Sequence, residues 1–417
     1  MDSDSTVKTE SPVRSESLHE FWGVDRDIEG PSELEREFHR HLHEKYADAG
    51  ATGGGPLARA YYRFKPLLPR PVQVWARKRY ARTRGRISFP AWPVETRCWD
   101  LASEWLKRTT IAAGGNLPVL EFWPEGRRFA LVLTHDVELQ PGFDTIKTIS
   151  RIEEDLGLRS SWNLVPRRYR IDPEMIQWLW DSGHEVGVHG LTHDGKLFTS
   201  RRVFEERLDA IHQYAVAWRA AGFRSPATHR NIEWMQSLKF EYDASFFDTD
   251  PFEPQRGGCC HVFPYRLGRF IELPYTLPQD HTLFDILRTD ALKVWLEKAE
   301  WIRSIGGMIL MITHPDYLNT NERRLIYRRF LEQVSRWADV WHALPMDVAR
   351  WWSTRLASLV TRAGGSDVRV ISQDARMRVK RSSRGSGDGH GHASPARADQ
   401  GGESPRGDPQ GRLKIGI

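Results

Sequence analysis

The sequence predicts an α/β fold, a β/α barrel or a closely related parallel sheet, and three features lead there. Apolar runs that close on polar residues recur from residue 129 onward, as strands buried on both faces do. Helical stretches with recognisable starts and stops alternate with those runs. Polar clusters fall at the carboxyl ends of the runs, the rim where α/β folds assemble sites because loops there vary without disturbing the core.

The elements follow in order. FALVLTH (129–135) is the first strand, and a helix is expected from Asp144 to Leu156. SWNLVP (161–166) reads as a second strand. Asp172 can cap the next helix, with Pro173 in its first turn and Gly183 at its stop. EVGVH is a short strand, and 201–222 is the clearest helix, ended by glycine. FRSP (223–226), YDASFF and the stretch around RFIELP supply further strands; a helix over 291–306 then precedes GGMILMITH (306–314). Ahead of this core, 1–56 reads as largely disordered or weakly structured, with a short helix at Glu33–Tyr46. Residues 57–128 read as an extension packed on the main domain, with a helix in WDLASEWLKR. The main domain is expected over 129–356, and 357–417 as a disordered basic Gly/Ser/Pro-rich tail, its isolated VRVI aside.

Composition narrows the function. The 417 residues carry a net charge of +5, but 361–417 alone hold eleven Lys/Arg and six Asp/Glu, the whole surplus. The remainder is near neutral, which argues against a nucleic-acid partner. Three cysteines are too few for a disulfide scaffold. No apolar run approaches the roughly 20 residues of a bilayer span, and the N-terminal stretch shows no secretory pattern. The expected location is cytoplasmic, with peripheral membrane contact through KRYARTRGR (78–86) left open.

Four clusters stand at strand ends: His135, Asp136 and Glu138 after FALVLT; His189 after EVGV, with His193 beyond a turn; Arg224 in FRSP; and His314 after GGMILMIT. A zinc-like ion needs carboxylate and neutral imidazole donors around one point, with a position left for water. Gly187 and Gly190 argue against a helix for the His189/His193 pair, so convergence requires a strand end followed by a turn. Asp136 and Glu138 would share one side of a continuing strand; the turn starting there leaves one carboxylate for metal and the other for substrate. His135 has no assigned task and can face the other way. His229 either reaches the substrate or sits in an exposed loop. Tyr275 and His281, in a proline-punctuated stretch, are weaker substrate contacts, and Trp162, Trp234, Phe246 and Phe247 either lie against the substrate or belong to the core.

These motifs together resemble the polysaccharide deacetylases with a NodB-homology domain, carbohydrate esterase family four. THDVE (134–138) is similar to that family's acidic motif, HGLTH (189–193) to its histidine motif, RSP (224–226) to its arginine motif, and LMITH (310–314) to its final one. The likeness covers roughly 129–350 and implies a deformed β/α barrel that hydrolyses an N-acyl group at a divalent ion, commonly N-acetyl on an amino sugar. It implies Asp136 as general base, Glu138, His189 and His193 as metal ligands, Arg224 as the partner of Asp136, and His314 as general acid. Zinc suits mixed imidazole and carboxylate donors, as do cobalt, nickel and iron. Two departures stand out. The usual adjacent acids are separated by Val137, and the tryptophan-containing motif that orients the acid histidine is not evident, leaving Asp250 and Asp280 as candidates. The expected partner is a carbohydrate or another small amide, and a carbohydrate-binding barrel without turnover is the rival from a different class.

Overall fold

The computed structural model describes residues 13–46, 79, 89–253, 255, 257–361 and 368–372. Two short helices lead, α1 (Leu18–Trp22) and α2 (Ser32–Leu42), and α3 (Arg97–Ala112) follows. Ser17 and Glu20 form a reciprocal cap at the start of α1, each side chain accepting the other's backbone N–H. Strand β1 (Asn116–Leu120) precedes β2 (Phe129–Val137), buried along its whole length. Alternation then sets in: α4 (Gln140–Asp144), α5 (Ile146–Glu154), β3 (Ser161–Leu164), α6 (Pro173–Asp181), β4 (Glu185–His189), α7 (Arg201–Trp218), β5 (Gly222–Arg224), α8 (Ile232–Met235) and β6 (Tyr242–Asp243). A hairpin of β7 (Tyr265–Leu267) and β8 (Phe270–Glu272) is followed by α9 (Ala291–Ile305), β9 (Met308–Thr313), α10 (Asn321–Val334), β10 (Val340–His342), α11 (Pro345–Thr361) and β11 (Val368–Ser372).

The sheet is the expected deformed barrel. β2 pairs parallel with β9 on one side, and on the other with β10 at its start and β3 at its end. Parallel pairing continues from β3 through β4, β5 and β6 to β8, where β7 adds an antiparallel edge. The chain after β8 closes the ring. Tyr275 bridges Phe247 beyond β6, and the amides of Thr276 and Leu277 donate to the carbonyl of Leu310 in β9. Helices cover the outside, so the strands are largely apolar on both faces, with polar residues entering the barrel mouth and His135 facing the helices. None of the described helices is long and apolar enough to cross a membrane.

Local signals placed most boundaries. Asp172 caps α6 by accepting from the Glu174 amide, with Pro173 in the first turn. Elsewhere packing overrode them. Thr145 separates α4 from α5 inside the stretch expected as one helix. α7 stops at Trp218, where Arg219 takes the left-handed conformation (φ 54°), instead of running to Gly222. Gly222 serves β5: a Cβ there would lie 1.8 Å from the Tyr242 ring.

At both ends the described residues carry structure within the segments that composition reads as weakly ordered. Residues 13–46 are folded onto the domain, burying Leu18, Phe21, Trp22, Phe38 and Leu42. Glu16 accepts from the Arg266 amide and the Trp352 indole, each at 2.9 Å, and so blunts the β7 edge. Glu44 pairs with both nitrogens of the buried Arg230 fork. These partners lie hundreds of residues away, which is why local composition read as weakly structured. At the other end α11 runs to Thr361, and the VRVI stretch zips antiparallel onto β1 across five positions. The basic segment 78–86 (Arg79 apart), His390 and His392 lie outside the described residues, as does the rest of the expected tail.

Candidate active site

β2 alternates its side chains, so Thr134 and Asp136 enter the barrel mouth while His135 faces the helices. Asp136 Oδ1 accepts from Arg224 Nη1 and Asn163 Nδ2, both at 2.9 Å. Asn163 fits only because position 187 is glycine; a Cβ there would stand 2.1 Å from its Oδ1. Arg224, fully buried, is aimed by Thr134 Oγ1 at 2.8 Å and the Ala244 carbonyl at 2.7 Å. Burial alone would raise the Asp136 carboxyl. Arg224, then His189 and His314, reverse that and hold it far below the usual carboxylate range. It is ionised at any physiological pH.

The three candidate ligands converge. One donor atom each from Glu138, His189 and His193 lies within 4.8 Å of the other two. His189, ending β4, has Nδ1 3.0 Å from the Arg224 carbonyl, which fixes the Nδ1–H tautomer and leaves the Nε2 lone pair facing the cluster. Burial pushes its pKa down to about 4, so the ring is neutral, as a ligand must be. His193 Nε2 is buried without a hydrogen-bond partner, and it lies 3.1 Å from Glu138 Oε1. The His193 backbone is strained (φ 52°), a conformation non-glycine residues hold only where their surroundings enforce it. Burial opposes ionisation of Glu138 too, but His193 first, then His314 and His189, keep its carboxyl well below its usual range. The turn that carries it is pinned by Asp316, whose oxygens accept the amides of Glu138, Leu139 and Gly142 at 3.0 to 3.2 Å. An orphaned imidazole nitrogen and a preset neutral one beside a carboxylate fit a divalent ion.

His314, just past β9, lies across the cluster, its Nε2 4.0 Å from Glu138 Oε1. Its Nδ1 is 2.7 Å from Asp280 Oδ1, and its backbone amide donates to Oδ2 of the same carboxylate at 2.8 Å. Burial alone would lower its pKa; Asp280, helped by Glu138 and Asp136, raises it to about 10.

Of the two candidate carboxylates, Asp280 is the one that meets the His314 ring. Asp250 instead accepts from the Phe252 amide, with the Tyr275 hydroxyl 3.5 Å away. Tyr275 is buried in the ring-closing segment, its hydroxyl also meeting Gln279. His229 lines a small cleft beside His193 with Leu191, Leu197 and Pro226. His281 adjoins the site less directly: Tyr317 packs against both its ring and that of His314. Trp162 is core, stacked on His135 at 4.0 Å, and Phe246 and Phe247 are buried beneath the Arg230 guanidinium. Trp234 is half-buried against Phe198 and Phe204. Thr134, Asn163, Asp316 and Tyr317 escaped sequence reasoning, because ordinary polar residues carry no motif until the fold brings them together.

No family model matches the chain, nor does any curated protein. Among solved structures, a probable polysaccharide deacetylase from Pseudomonas aeruginosa PAO1 is similar at 15% identity and TM-score 0.45, over 56% of this chain and 94% of that one. The PuuE allantoinase is similar at 15% identity and TM-score 0.45, over 56% and 93%. The peptidoglycan deacetylase PdaC from Bacillus subtilis is similar at 14% identity and TM-score 0.39, over 58% and 100%. At such identities and scores these likenesses decide neither substrate nor activity; the chain's own strands and side chains carry the fold and the site.

Proposed function

We propose that this chain is a metal-dependent hydrolase of non-peptide carbon–nitrogen bonds, of the NodB-homology deacetylase kind, removing an N-acetyl group from an amino sugar of a glycan or glycan precursor. The observation that carries the reading is the meeting of Glu138, His189 and His193 donors within 4.8 Å of one another, with Asp136 on one side and His314 on the other. Glu138, His189 and His193 would hold the ion, zinc first and cobalt, nickel or iron as alternatives. When bound, a divalent ion supplies Lewis-acid polarisation of the amide carbonyl and a more acidic water.

The chain's own groups do the rest. Asp136, kept ionised by Arg224, accepts the proton of the attacking water. His314, protonated and held by Asp280, donates from Nε2 to the departing nitrogen, which leaves as an amine. Arg224 and Asn163 fix the base; Asp280 fixes the acid. A binding-only barrel would need neither a base nor a poised acid.

The test is metal content of the purified protein together with acetate release from a panel of N-acetylated sugars. Bound ion with acetate release supports the reading. Bound ion and no sugar turnover moves the assignment to another small amide. No ion, with ligand binding unchanged in His189→Ala and His193→Ala, leaves a binding barrel.

A further inference from the structure

The loop after β3 spans both ligand-bearing strand ends. Tyr169 Oη donates to the carbonyl of Val137, next to Glu138, at 2.8 Å. The Arg167 amide donates to Leu191, and Arg168 Nη1 to the carbonyl of the candidate ligand His193 at 2.7 Å. The Arg170 amide donates to Gln140 Oε1, beyond the Glu138 turn. The side chains of Arg167, Arg168 and Arg170 are exposed, as is that of Lys196 in the facing loop.

Among the described residues none of these four cations has a carboxylate within ion-pairing distance, although acids are plentiful nearby. Those acids are engaged elsewhere. Glu138 faces His193, Asp194 pairs through both oxygens with Arg207, Asp316 takes backbone amides, and Asp172 caps α6. A solvated surface of mixed charge would pair at least some of these arginines with the adjacent acids. Here the mouth stays cationic, although residues 129–356 hold 28 Lys/Arg against 31 Asp/Glu. Arg168 is also fixed in place by one of its five N–H groups, leaving the others for a planar or tetrahedral anion.

Resting on the deacetylase reading above, we propose that the substrate is an N-acyl amino sugar bearing an anionic group, phosphate or carboxylate, and that Arg168 and Arg170 bind that group beside the metal pocket. The neutral acyl amide reaches the ligand cluster, and the anion stays at the rim, where the cations draw it in and set which end enters.

The experiment compares N-acetylglucosamine, N-acetylglucosamine 1-phosphate and N-acetylmuramic acid on the zinc-loaded full chain. At low salt KM for one or both anionic sugars should be about tenfold lower than for the neutral sugar, and the gap should shrink as salt screens it. The two anionic arms decide between phosphate and carboxylate. Arg168→Gln/Arg170→Gln should erase the preference, raising KM for the anionic sugars to that of the neutral sugar. Arg329→Gln, removing an exposed cation on α10, should preserve it. Equal KM for neutral and anionic sugars, or a preference that survives the double variant, overturns the proposal and leaves the deacetylase reading standing. If no sugar is turned over, that reading fails, and calorimetric binding of the same panel decides the inference: anionic binding lost in the double variant sustains it, and absence of such binding sinks it.

Discussion

His135 and Asp136 are consecutive in β2 and serve two histidine–carboxylate systems on opposite faces of one strand. Outward, His135 Nε2 meets Glu153 at 2.6 Å and its Nδ1 meets Thr313 Oγ1 at 2.8 Å, while Ser160 and Tyr327 hydroxyls complete the Glu153 carboxylate. All of these groups are buried, and both ring nitrogens of His135 and both oxygens of Glu153 have a partner. Inward, the His314–Asp280 pair is 2.7 Å, but the cluster beyond it leaves Arg224 Nη2 without a hydrogen-bond partner and gives His193 Nε2 only the Glu138 carboxylate, 3.1 Å away. A buried polar network normally satisfies every member. The outward network does, and it locks α5 and α10 to the sheet. The inward one stops short, which is what a site awaiting a ligand requires. Saturation, not the pairing itself, separates scaffold from chemistry.

The sharpest way to break the contrast is Asp136→Asn. Loss of the base should cut acetate release by about 10²–10⁴-fold, with bound metal little changed. On the other face, Glu153→Ala should do the reverse. It strands His135 in the core and should cost about 3–5 kcal/mol in urea unfolding, while the folded fraction keeps its metal.

Asp280→Asn sharpens the comparison by pH. In metal-free protein the His314 pKa of about 10 stands above the ordinary value of roughly 6.5. The folded state therefore holds a proton that the unfolded state gives up. Stability from this pair is full below about pH 6.5 and is lost as pH rises through about 10. Denaturation midpoints across that window should fall in the parent protein and flatten in the variant, whose activity should drop about 10²-fold. A parallel decline in both proteins would show that Asp280 does not hold this proton. The smallest effect belongs to Ser160→Ala, which removes one hydrogen bond of 2.6 Å to Glu153 and should cost about 2 kcal/mol with activity unchanged.

Much of this was written locally. The continuous apolar run of β2, the Asp172–Pro173 start of α6 and the polar residues closing β4 and β9 are short-range signals, and the barrel follows from their alternation. Asp136, Glu138, His189 and His314 stand out as candidates for the same reason, each at or just past a strand end, with His193 beyond a turn. Only the tertiary structure chose Asp280 over Asp250 for His314, buried Tyr275 and folded residues 13–46 onto the domain. Those outcomes depend on partners 34 residues apart for Asp280 and His314, and 186 apart for Glu44 and Arg230. Periodicity and caps act over a few residues, whereas the choice among equivalent carboxylates is made by which one the closed sheet brings within reach.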